Sequence, residues 1–485
     1  MIEKIREHAL KGMMWSGLSE GLSQLFRFVI TLILARLLVP QDFGIIGMAS
    51  IFIGILLTFN QLGLAAGIIQ RKSLTSEHIN ASFWAGIAIG VFFCVFTLVV
   101  SSLVADFFQE ERLGPVLSFL SLIFIIGALA SIPRALLIRD LKFKQVSFSE
   151  IIAELIASVI AIVMALSGFG LWSLVWKNIL GNLFITVIYW VIHPWRPALH
   201  FNYKSFKEIF GFSSNVMGSD IIGYAQSNVD YLIIGKMLGA LQLGYYSLAF
   251  NMISFPVRRV SSVIGGVIFP VFSRIQDNND KLRRGYLETI KYTSIITFPA
   301  IAGLFILAPE FVSVILGQKW SPAILPLQIL CLLGVVRSIT YYSGSVLLSK
   351  GKPDLAFRWN TLTLVMLVIS ISWAMQYGIV GVAATVAIVS TTMCLIIQLM
   401  ANGLIDLKIK DFLWSVYPAF ISSLAMVGVI WLFKQAYLVS SQNSFYIFIV
   451  LVPLGIVIYL ITLKIVCPSI LSDVKRILKE ILNEV

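Results

Sequence analysis

Apolar runs follow one another along almost the whole of this chain. Most reach about 20 residues, the length an α-helix needs to cross a hydrocarbon core of ~30 Å. Period-2 alternation is absent, which excludes a barrel. With 58% hydrophobic residues, 12% charged residues and a mean hydropathy of +0.92, the chain lacks the polar residues to cover a soluble core. It is therefore read as an all-α, polytopic membrane protein. Spans are expected near 13–38, 43–70, 79–105, 113–138, 147–167, 169–192, 206–236, 242–271, 290–308, 322–348, 357–377, 379–403, 413–434 and 443–466, about fourteen in all. The first is expected to act as an uncleaved insertion signal. Residues 1–11 and 469–485 read as basic amphipathic segments lying on the membrane surface. Cys94, Cys331, Cys394 and Cys467 sit in or at the end of apolar runs without metal-ligand spacing and read as packing residues.

The chain contains a repeat. At an offset of 200, residues 12–44 match 212–244, pairing Ser19 with Ser219, Glu20 with Asp220, Val29 with Val229, Leu32 with Leu232, Ile33 with Ile233, Arg36 with Lys236 and Gly44 with Gly244. Further on, SGFGLW at 167–172 resembles YGIVGV at 377–382, with Gly170 over Gly381 at an offset of 211. A net insertion of eleven residues is required, and the polar stretch 272–289 is a suitable place for it. Two halves of six spans each imply a parallel repeat about an axis along the membrane normal. The expected organisation is two pseudo-symmetric six-helix lobes, 1–204 and 205–405, followed by 406–485 with two C-terminal helices and the tail.

Basic residues at span ends give the direction. With the N-terminus inside, 26 of the 36 Lys and Arg fall on inner connections and only Arg36, Arg112, Lys236, Lys319 and Lys434 fall outside, so both termini are expected in the cytoplasm.

The remaining five cations, Arg27, Lys177, Arg258, Arg259 and Arg337, lie deep in spans. A charge there costs at least ~2.5 to 3.5 kcal/mol, so it tends to face a bundle interior or a wet cavity. Glu20, Gln24, Arg27 and Thr31 recur at helical spacing and form one polar stripe. Asn251, Ser254, Arg258 and Ser261 share another face, beside Arg259. Against the five cations stand Glu20, Glu154, Asp220 and Asp230, and this balance favours an anion. Two guanidiniums side by side suit phosphate or carboxylate oxygens. The candidate binding residues are thus Arg27, Lys177, Arg258, Arg259 and Arg337. Glu20, Asp220 and Asp230 are candidates to take up a proton or a small cation. The competing reading is that these charges only neutralise one another, Glu20 with Arg27, and Asp220 and Asp230 with the paired arginines.

No Ser-His-Asp set, phosphate-cradling glycine loop or zinc spacing stands out, and His8, His78, His193 and His200 all lie near span ends. Short outer loops argue against a membrane glycosyltransferase or polymerase, and the positive balance argues against a cationic-drug antiporter.

The segments ARLLVPQDFGIIGMAS, GKMLGALQLGYYSLAF, FPVRRV with FPVFSR, ILGQKWSPA and LSKGKPDL together resemble the lipid-linked polysaccharide flippases of the multidrug/oligosaccharidyl-lipid/polysaccharide exporter superfamily, lipopolysaccharide and colanic-acid type. The resemblance covers residues 10 to about 400. It implies two lobes around a central cavity and a polyprenyl-diphosphate-linked oligosaccharide, carried on undecaprenyl, moved from the cytoplasmic to the periplasmic leaflet of a bacterial inner membrane. Exchange against H+ or Na+ is expected to reset the lobes, with no cofactor, metal or nucleic acid involved and with other polysaccharide-assembly membrane proteins as partners. Arg27, Arg258 and Arg259 occupy places similar to arginines that related flippases set around the diphosphate. An arginine that some relatives carry in helix two has no counterpart in TFNQLGLAAG. The two extra helices resemble those that build a lateral groove for the polyprenyl tail.

Overall fold

The computed structural model describes residues 21, 24–60, 67–69, 71, 74–200, 202–438 and 444–468, and the side chains of these except 59, 60, 204–220, 259, 262–267, 269, 270, 437, 438 and 444. Among the described residues there is helix and no strand. The helices are α1 (24–37), α2 (Pro40–Asn60), α3 (Ser76–Phe108), α4 (Leu113–Leu120), α5 (Leu122–Arg139), α6 (Phe143–Leu166), α7 (Leu171–Ile192), α8 (Tyr203–Arg274), α9 (Asn279–Ile306), α10 (Ile324–Thr340), α11 (Ser343–Ser349), α12 (Pro353–Ala374), α13 (Gly378–Leu404), α14 (Ile409–Leu438) and α15 (Ser444–Val466). Ten stretches of the described residues are long and apolar enough to cross a membrane, and one of them, Pro353–Leu404, holds both α12 and α13. The chain is an all-α, multi-pass membrane protein.

Burial follows the membrane pattern. On α3 the buried face carries Gly90, Cys94, Thr97, Ser101 and Ala105, whereas Phe92, Val95, Val99 and Leu103 lie exposed along the opposite face. Small residues inside let helices approach closely, and large apolar ones outside meet lipid, the reverse of a soluble helix.

Two compact units form, Met1–Gly244 and Tyr245–Val485. The first part of α8, which opens the second copy of the sequence repeat, thus belongs to the first unit. Within that unit both copies are interrupted at the same place. The chain leaves helical geometry at Leu38 and Val39 and restarts at Pro40, where the missing N–H and fixed φ suit a first helical turn and hold the preceding residue extended. Two hundred positions later the break falls at Gly239, with φ 82° and ψ 176°, a region essentially reserved for glycine.

Beyond each break the copies meet. A Cβ built on Gly44 would stand 1.7 Å from the Ala240 carbonyl oxygen, and one built on Gly244 would stand 1.9 Å from that of Pro40. Residue 44 touches 240 and residue 244 touches 40, the reciprocity of a two-fold contact. Tyr224 adds a pin by donating its hydroxyl to the Ser50 carbonyl at 2.9 Å.

In the second unit the polar stretch 272–289 is helical over most of its length. Asn278 caps α9 by accepting from the Lys281 N–H at 3.0 Å, and Leu282, Tyr286 and Ile290 line up at helical spacing in the core. The helix therefore starts well before the apolar run that signals it. A buried network joins α9, α11 and α13: the hydroxyls of Tyr286 and Ser343 donate to Gln398 Oε1 at 2.9 and 2.7 Å, and Gln398 Nε2 donates to Asn402 Oδ1 at 2.8 Å. Each side chain in it takes part in at least one hydrogen bond, the condition for keeping such groups away from water.

Candidate functional site

Helix α6 organises the charges of the first unit. Its residues Glu150, Glu154 and Ser158 are four apart and share one face. Each carboxylate meets cations from neighbouring helices. Glu150 lies 3.4 Å from the Arg134 guanidinium of α5 and accepts from the Tyr189 hydroxyl of α7 at 3.2 Å. One turn on, Glu154 Oε1 accepts from Lys177 Nζ of α7 at 2.8 Å, while Glu154 Oε2 lies 3.5 Å from Arg27 Nε of α1. A tight turn with positive φ at Gly168 and Gly170 joins α6 to α7, which is how mid-helix charges separated by 23 positions come to face each other.

The triad is uneven. Lys177 holds Glu154 at charge-assisted hydrogen-bond distance, whereas Arg27 Nε is buried without a hydrogen-bond partner. The side chains of Lys177 and Glu154 are 21% and 18% exposed, against 43% for Arg27. One carboxylate thus serves two cations, leaving a net charge of +1.

Of the residues singled out from the sequence, Arg27 and Lys177 are brought together, by an acid that was counted among the deep charges without being assigned a role. The signal was the spacing in SEIIAELIAS, two acids and a serine on one stripe of an otherwise apolar helix. Arg258 is exposed in the second unit, without an ion pair among the described residues of that unit. Arg337 lies over the Phe250 ring at 5.4 Å, a cation–π contact. Asp230 is buried and accepts from the Tyr231 N–H at 2.9 Å. Glu20 and the side chains of Asp220 and Arg259 lie outside the described residues.

The second unit carries a further buried pair, absent from the sequence reading. Lys434, expected at an outer span end, places Nζ 2.8 Å from Glu310 Oε1, 3.0 Å from Glu310 Oε2 and 3.0 Å from the Ile306 carbonyl. Beside it α9, α14 and α15 line an open apolar groove of about 460 Å³, with Pro299, Gly303, Met426, Ile430, Leu451 and Tyr459 on its walls. Among the described residues no group of three or more His, Cys, Asp or Glu is arranged to hold a metal.

Residues 33–325 match the model of the polysaccharide biosynthesis protein family. The lipopolysaccharide biosynthesis protein WzxC of Escherichia coli (strain K12) is 29% identical over 428 residues, covering 87% of this chain and 85% of that protein. The teichuronic acid biosynthesis protein TuaB of Bacillus subtilis (strain 168) is 28% identical over 372 residues, covering 76% and 77%. Among solved structures, the lipid II flippase MurJ in an inward closed conformation superposes with a TM-score of 0.76 at 15% identity, covering 94% of this chain and 100% of that one, a likeness of fold. With more than half of its length matched by the family model, the chain belongs to the polysaccharide biosynthesis protein family.

Proposed function

We propose that the protein is a flippase that moves an undecaprenyl-diphosphate-linked oligosaccharide repeat unit from the cytoplasmic to the periplasmic leaflet for cell-surface polysaccharide assembly. It is a transporter and not an enzyme. The observation that carries the reading is the surplus of cation in the first unit, where Arg27 and Lys177 share Glu154 and Arg27 is half-exposed; the second unit, by itself, carries the exposed guanidinium of Arg258. Guanidiniums with free forks suit phosphate oxygens. The lipopolysaccharide and teichuronic acid roles in the names of the relatives support a glycan carried on lipid. The apolar groove between α9, α14 and α15 is suited to a polyprenyl chain.

The bacterial inner membrane, cytoplasmic termini and the lobes 1–204 and 205–405, with 406–485 appended, belong to this reading. So does alternating access between the lobes, reset by H+ or Na+ on Glu20, Asp220 or Asp230, with Arg259 and Arg337 as further candidate binding residues. The test is surface glycan export in a strain deleted for the gene and complemented at equal membrane abundance. Loss of a charge-assisted phosphate contact is worth ~1.5 to 3 kcal/mol, so Arg27→Ala, or Arg258→Ala with Arg259→Ala, should lower export by about tenfold or more. Unchanged export would refute the diphosphate assignment.

A further inference from the structure

The uneven triad has a chemical use. Arg27 presents a planar fork made for bidentate contact with an oxyanion. Yet its closest approach to Glu154 is through Nε, at 3.5 Å and without a hydrogen bond. Glu154 is held instead by Lys177, at 2.8 Å. Among the described residues Arg27 has no other anionic partner, and it is the most exposed member of the three. A strongly committed ion pair would show the opposite pattern, with the fork engaged and the guanidinium covered.

We infer that Glu154 is a resident counter-anion that sets affinity for the diphosphate head group. In the empty protein it neutralises Arg27 loosely, and an arriving phosphate replaces it there. Glu154 is a positioning and affinity-determining residue and does not itself touch the cargo. Lys177 makes the exchange feasible, because Glu154 released by Arg27 is still paired and leaves no bare carboxylate in the membrane. The inference rests on the flippase reading, whose cargo supplies the phosphates.

An internal competitor lowers apparent affinity by the fraction of time the site is free of it. Purified full-length protein in nanodiscs is titrated with two probes, undecaprenyl diphosphate and inorganic pyrophosphate. Glu154→Gln removes the competitor and should bind both about three- to tenfold more tightly than wild type. Lys177→Met hands Glu154 wholly to Arg27 and should bind both about three- to tenfold more weakly. The same ratio with both probes places the effect at the phosphates and not at the lipid chain. A ratio confined to the lipid probe would overturn the inference.

The double variant Glu154→Gln with Lys177→Met removes both charges and leaves neither one buried alone, so it guards against misfolding of the single ones. It should bind at least as tightly as wild type and clearly more tightly than Lys177→Met. A merely structural triad predicts weaker binding in every variant, and that result would overturn the inference, as would a double variant no better than Lys177→Met. Wild-type protein that binds neither probe would overturn the flippase cargo itself, and this inference with it. Binding by wild type with no gain in Glu154→Gln would overturn the inference alone.

Discussion

Replacing Gly44 by Ala tests whether the two copies of the repeat are in reciprocal contact. The new Cβ would lie 1.7 Å from the Ala240 carbonyl oxygen, and real Cβ atoms essentially never come closer than 3.0 Å, so the segments must part by the difference, 1.3 Å. The obstacle is backbone, which cannot swing aside as a side chain would. Overpacking of this kind costs about 1 to 3 kcal/mol. It is partly offset by the ~1 kcal/mol that Ala gains over Gly within a helix. The net expectation for Gly44→Ala is a loss of up to about 2 kcal/mol. Gly244→Ala, with its Cβ at 1.9 Å from the Pro40 oxygen, should behave alike. Both substitutions push the same two segments apart, so the double variant should lose less than the two losses added together. Gly127 in α5 has nothing within 4 Å of a built Cβ; Gly127→Ala should therefore stabilise by roughly 0.5 to 1 kcal/mol. The apparent unfolding midpoint in detergent, measured side by side, gives the signs. Gly44→Ala as harmless as Gly127→Ala, or strict additivity of Gly44→Ala and Gly244→Ala, would refute the reciprocal contact.

Two other outcomes follow from buried charge and burial. Lys434→Met strands Glu310, whose side chain is 8% exposed, and should cost about 3 to 5 kcal/mol, whereas Lys434→Met with Glu310→Leu removes both charges and should be close to neutral; equal losses in the same midpoint assay would show that the pair is not a desolvated one. Burial holds the His193 imidazole below its ordinary range, against a weaker upward pull from Asp140, and neutral Nδ1 accepts from the Trp195 N–H at 3.1 Å. A lowered folded-state value means the unfolded chain binds more protons, so stability is complete above about pH 6.5 and falls as the pH drops below it. His193→Asn should lose part of that acid sensitivity, and an unchanged pH profile would refute the assignment.

The membrane character was legible because it depends on composition summed over many residues, and the repeat because Gly44 and Gly244 admit no larger side chain. Less legible was anything set by the rotation of one helix against another. Arg27 and Lys177 were visible as deep charges, but nothing in a linear sequence says that α1 and α7 both turn toward Glu154. The start of α9 was hidden for a related reason. Its first turns carry Asp280, Lys281, Arg283 and Arg284, which mask the spacing of Leu282 and Tyr286 in any hydropathy average. Lys434 read as an interfacial cation because its partner, Glu310, lies in an irregular stretch of single turns, Ala308–Phe311 followed by Val312–Leu316.

The matched breaks at 39 and 239 bear on how the two copies can age. The first is written as an absent donor at Pro40 and leaves position 39 open to many residues; Val39→Ala should pass unnoticed. The second is written as a backbone angle at Gly239, which L side chains rarely adopt although the space around it is empty. A break at the same point of each copy is thus made by two different backbone geometries with different tolerance to drift. Sequence identity between the halves can decay unevenly around positions 40 and 239 while the place of the break stays the same.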